Sequence, residues 1–110
     1  MTAVTPIHNT PVMTQAHRDA IAHVQDLAIS ISQQGTYAVF IDYDGNVQWL
    51  DARWVHHAKI NNGNYQSDAS HRIKLPARLP DQGHRALAEL QALARELEAL
   101  LIPPTGDDAA

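Results

Sequence analysis

The sequence predicts an α+β domain of order α-β-β-β-α: a three-stranded antiparallel meander with two helices packed on one face. Three observations predict it. Apolar residues recur at helical spacing in two segments near the chain ends, and they alternate at strand spacing between those segments. Asp44-Gly45 then interrupts the alternation with the strongest short-range turn signal in the chain.

The first helix is expected to open at Thr14, whose hydroxyl can cap free N–H groups. Ile21, Val24, Ala28 and Ile31 follow as one apolar stripe, with His17, Asp19, His23 and Asp26 largely off it. Gly35 is placed to close the helix, because glycine accepts positive φ without a Cβ penalty. Tyr37, Val39 and Ile41 alternate with Ala38, Phe40 and Asp42 in a first strand, and Val47 to Val55 returns as the second.

A two-residue type I′ loop at Asp44-Gly45 pairs Tyr43 with Asn46, Ile41 with Gln48, Val39 with Leu50 and Tyr37 with Ala52. Val39, Ile41, Leu50 and Trp54 then share one face, and Phe40, Val47 and Trp49 the other. Both faces of this hairpin carry large apolar groups. Asn61-Asn62-Gly63-Asn64 marks another turn, within a polar stretch from Lys59 to Ser70 that reads as a long hairpin tip or a loop. His71, Ile73 and Leu75 alternate with Arg72 and Lys74 as a third strand, and Pro76 and Pro80 bracket a linker.

Asp81 is placed to cap the last helix. There Leu87, Leu90, Leu93, Ala94, Leu97, Leu100 and Leu101 cover a face about 140° wide. Leu90, Leu93, Leu97 and Leu100 also have the 4-3 spacing of a dimer seam, but the run is too short for a sustained coiled coil, so core is the favoured reading. The chain thus divides into an N-terminal arm (1–13) expected to be flexible, one domain (14–102) and an acidic tail (103–110) expected to be disordered.

Composition removes several classes of function. With 110 residues and 45% apolar content the chain can bury a core of its own, and the absence of cysteine excludes disulfides and thiolate metal sites. No segment has the length and hydropathy of a membrane span, and the N-terminus lacks the pattern of a signal peptide, so a cytoplasmic location is expected. A net charge of −4, with 8 basic side chains spread along the chain, argues against a protein that wraps nucleic acid electrostatically. Seven histidines are many for this length, yet they are scattered as surface residues are.

Catalytic and metal motifs are equally scarce. No nucleophile elbow, zinc-protease helix, P-loop or dinucleotide fingerprint occurs, so neither an enzyme nor a cofactor is expected. Neighbouring side chains on a strand point apart, so His56-His57 cannot chelate one ion from a regular strand. A metal- or carboxylate-dependent site would have to gather Asp51, His56 and His71. Asp42 and Asp44 are explained by the turn they flank. Asp44-Gly45-Asn46 resembles the start of a calcium loop, but Val55 occupies the position of its closing Glu.

The sheet itself gives the better lead. If both helices cover one face, the other presents Phe40, Val47 and Trp49 with Arg53 beside them, a patch of the composition found at binding hot spots. These four are the expected partner-binding residues, in a non-enzymatic protein-interaction module that is expected to form a homodimer. The alternatives are that the arm or the 59–70 segment covers this face, or that Arg72, Lys74 and Arg78 form a small basic patch for nucleic acid.

The order α-β-β-β-α resembles that of the double-stranded-RNA-binding domain. That family's Lys-rich opening of the second helix is replaced here by Asp81-Gln82-Gly83-His84-Arg85, and its His-bearing loop between the first two strands is missing. None of its RNA-contacting residues carries over. The run Tyr37–Trp54 is similar to hairpins in short accessory proteins of proteobacterial prophages and plasmids. That resemblance implies a protein that binds and modulates a host protein, a broad class that includes anti-CRISPR inhibitors of host defence.

Overall fold

The computed structural model describes residues 13–76 and 82–102. The expected order holds: helix α1 (Gln15–Gln34), strands β1 (Tyr37–Asp44) and β2 (Trp49–His56), a short helix α2 (His57–Asn61), strand β3 (Ala69–Lys74) and helix α3 (Gln82–Glu98). The strands form one antiparallel sheet in the order β1-β2-β3, so β2 is central and β1 and β3 are edges. α2 begins just before the Lys59–Ser70 stretch, expected to be a long hairpin tip or a loop, and runs into its start. Asp81, the expected cap of α3, and the acidic tail fall outside the described residues, as do all of the N-terminal arm but Met13. Met13 packs against the core.

Thr14 caps α1 as expected, and the cap is reciprocal. The Thr14 hydroxyl accepts from His17 N at 3.3 Å, while Thr14 N–H donates to His17 Nδ1 at 3.1 Å, with His in the place a Glu usually takes. With Nδ1 accepting, the other ring nitrogen carries the hydrogen and donates to the Gly83 carbonyl of α3 at 2.8 Å. His17, expected off the apolar stripe, is therefore buried between the two helix starts. Gly35 closes α1 at φ 90°, donating to Ser32 O.

The β1–β2 connection differs from the expected two-residue loop. Gly45 to Gln48 form a four-residue turn, and Ile41 pairs with Ala52 rather than Gln48. The cause is the Asp44 carboxylate, which accepts from Asn46 N at 2.8 Å and Val47 N at 3.2 Å and so adds a helical turn before the return strand. Gln48 N–H closes that turn on Asp44 O, and Gln48, not Gly45, takes the left-handed conformation at φ 58°. The partners are displaced by an even number of residues, so the side chains in the strands keep their predicted faces. Val47 does not: it leaves the strand for the turn.

α1 packs against β1 and α3, and α3 also packs against β3, so both long helices lie on one sheet face. Between the layers sit Val24, Ile31, Leu50, Trp54, Leu90 and Leu97, all 6% exposed or less. The dimer-seam leucines Leu90, Leu93 and Leu97 are thus consumed within one chain, and Leu100 packs at the margin of the same core. Amide pairing of Gln34 with Ile102 (2.8 and 3.0 Å) and a 3.3 Å contact of His23 with Glu98 fasten α1 to the chain beyond and along α3.

Candidate functional site

The helix-free face is built from three cross-strand rows. Register puts Phe40, Arg53 and Ser70 in the first, Asp42, Asp51 and Arg72 in the second, and Asp44, Trp49 and Lys74 in the third. Phe40 and Trp49 therefore share the predicted face but do not touch as one patch, because a row of acids stands between them. Val47, the third apolar member expected there, is exposed in the turn instead.

Each aromatic carries a guanidinium. Arg53 Cζ lies 4.1 Å from the Phe40 ring centroid, and Arg72 Cζ lies 3.9 Å from that of Trp49. Arg72 is also held by its partner across the strand, with Nε on Asp51 Oδ1 at 2.7 Å and Nη2 on Oδ2 at 3.0 Å. That hydrogen-bonded pair holds the Asp51 carboxyl below its usual pKa and raises that of Arg72. Arg53 is held more loosely. Its Nη1 reaches Tyr65 O and Ser67 Oγ, both at 3.4 Å, so the 59–70 segment does touch this face. Val55, one row beyond these on β2, is wholly buried.

Arg72 and Lys74 share this face, as the nucleic-acid alternative required, whereas Arg78 lies outside the described residues. Arg53, Arg72 and Lys74 are matched there by Asp42, Asp44 and Asp51, so the rows hold no surplus of positive charge. The residues of the alternative metal site do not converge. Asp51 is on the helix-free face, paired with Arg72, while His71 is on the other, packed on Trp54 and 2.9 Å from Glu96. His56 stacks beside Tyr37 and contacts Asp68 at 2.8 Å. Among the described residues no group of three His, Asp or Glu side chains is placed to hold a metal.

Asp68 forms a clamp where the chain enters β3. Its Oδ1 accepts from Lys59 Nζ at 2.8 Å and its Oδ2 from His56 N at 2.7 Å. These bonds, that from Lys59 foremost, lower its pKa from 3.8 to about 2. A carboxylate depressed in this way favours the folded state above the unfolded value and loses that advantage as pH falls toward the folded one. Asp68→Ala is expected to be less stable than wild type at pH 7, with the difference shrinking between about pH 4 and about pH 2. Urea titrations across that range check it, and a difference independent of pH would count against the clamp.

Two features of the surface were not legible as site residues. Ile29 is 53% exposed and Tyr43 47% exposed, and with Phe40 they place exposed apolar surface along the β1 border. A groove of about 690 Å³ runs there between α1 and β1, bordered by Ile29, Ser32, Val39, Phe40, Ile41 and Arg53 among others. The signal for Ile29 was present in the sequence, as an isoleucine just outside the apolar stripe of α1. The β3 edge, by contrast, carries His71, Arg72 and Lys74, the charged or titratable side chains that guard an edge against pairing.

No protein-family model, curated protein or solved structure matches the chain. No helix among the described residues is long and apolar enough to cross a membrane.

Proposed function

We propose that this is a non-enzymatic protein-interaction module, which binds a partner protein and modulates it through the helix-free face of the sheet. The observation that carries the reading is the pair of aromatic–arginine stacks, Phe40 with Arg53 and Trp49 with Arg72, on a face that neither long helix covers. Aromatic and arginine side chains are the groups enriched at binding hot spots. An exposed cation–π contact is worth only about 0.5–1 kcal/mol, whereas truncating a hot-spot residue costs about 2 kcal/mol or more of binding. A docking partner can therefore displace the loosely held Arg53 guanidinium from the Phe40 ring at a net gain.

The hairpin's likeness to prophage and plasmid accessory proteins directs the proposal toward a modulator of a host protein carried by a mobile element. Small inhibitors of host defence, anti-CRISPR proteins among them, are the class with that character. The balance of three cations against three acids in the rows favours a protein partner over a nucleic acid.

The test is affinity capture from the native host with wild type, Trp49→Ala and Glu89→Ala in parallel. Glu89 is exposed on α3, away from the sheet face. A partner retained by wild type and Glu89→Ala but lost from Trp49→Ala is the expected result. A partner that survives Trp49→Ala, or none with wild type, would sink the proposal.

A further inference from the structure

The interaction reading leaves the occupant of the β1 edge open, and the geometry there points to a second copy of this chain. Resting on that reading, we propose that two copies pair antiparallel through β1, with the two-fold axis at Ile41, and join their sheets into one of six strands.

The strand register fixes which backbone groups of β1 are free for a second copy. His57 N–H donates to Thr36 O beside the Tyr37–His56 pair, and Leu75 N–H donates to Gln48 O, so the even-numbered residues on the β2 side bond to β3 and the even-numbered residues of β1 bond to β2. Tyr37, Val39, Ile41 and Tyr43 then point their backbone groups outward, away from the sheet. Val39 shows it directly, because its N–H is taken by Ser32 Oγ of α1 at 3.0 Å. A second β1 centred on Ile41 exchanges both Ile41 hydrogen bonds with its counterpart. Each Tyr43 N–H donates to the Val39 carbonyl of the other copy, and the Val39–Ser32 bond is left in place.

Side-chain chemistry selects that register. Among the described residues neither Asp42 nor Arg53 has an ion-pair partner, although both border the same groove. With Ile41 on the axis, Asp42 of one copy stands opposite Phe40 of the other, where the Arg53 guanidinium already lies over the ring. The two-fold axis makes this contact twice. A register shifted to put the axis at Asp42 would oppose two carboxylates directly, which cross-strand repulsion disfavours. Phe40, Tyr43 and Ile29, the exposed apolar groups of this border, lose solvent in the same step. The β3 edge offers no such complementarity, since its Arg72 is already committed to Asp51.

Analytical ultracentrifugation of the full chain over a concentration series tests the proposal. Wild type is expected to be dimeric, Asp42→Arg and Arg53→Asp each to weaken self-association about tenfold or more, and the double variant to restore it. Tyr43→Pro removes an outward N–H, which an edge strand tolerates, and is expected to give a folded monomer. Melting curves confirm that each variant is folded. Wild type that stays monomeric throughout, or a dimer that survives the single charge variants and Tyr43→Pro, overturns the proposal. A double variant that fails to re-associate overturns the Asp42–Arg53 register. Trp49-dependent capture by a monomeric wild type would leave the interaction reading standing and remove only the dimer.

Discussion

Trp54→Ala is expected to lower the free energy of unfolding by about 3–5 kcal/mol, the cost of emptying a large aromatic site in a packed core. Trp54 is 6% exposed, opposes Val39 across the hairpin and packs against His71 at 5.6 Å between ring centroids. Domains of this kind have total stabilities of about 5–15 kcal/mol, so the loss takes a large share. Trp49, five positions earlier and on the other face, lies half-buried under Arg72, and Trp49→Ala is expected to cost clearly less. Denaturant titration of both variants reads the contrast. A Trp49→Ala protein that unfolds while Trp54→Ala stays stable would show that the two faces have been assigned the wrong way round.

Leu90→Ala is expected to cost about 2–5 kcal/mol of stability without changing the state of assembly. Leu90 is wholly buried within one chain, in the cluster where α3 meets α1 and the sheet. The same leucine would be the centre of the seam if α3 were a dimerisation helix. The two roles separate cleanly: truncating a core residue lowers the unfolding midpoint at every protein concentration, whereas truncating a seam residue lowers the mass in solution. A protein of unaltered stability and reduced mass would return α3 to the interface.

The order of elements, the meander and the two-faced hairpin were all legible in the sequence, because each rests on periodicity that packing then obeyed. Thr14 and Gly35 were legible for the same reason, as local chemistry at helix ends. The turn was not. Its position was marked by Asp44-Gly45, but its length was set by the Asp44 carboxylate and by a glutamine at positive φ, a conformation that residue preferences would not assign to Gln48. The candidate surface was half legible. Its face survived an even slip of register, but its grouping did not, since the contact of Phe40 with Arg53, and not with Trp49, depends on which residues oppose each other. The burial of His17 was not legible, because nothing local to it marks a carbonyl 66 residues away as the partner of its ring.

Sequence separation also divides the fold in time. Each pairing in the sheet joins consecutive strands, which close small loops, whereas His17–Gly83, Gln34–Ile102 and His23–Glu98 bridge separations of 66, 68 and 75 residues. Loop-closure entropy rises with separation, so the meander can assemble before the α1–α3 seam shuts. The seam is then the natural line of sub-global opening, and amides of α3 should exchange with solvent sooner than those of the central strand β2.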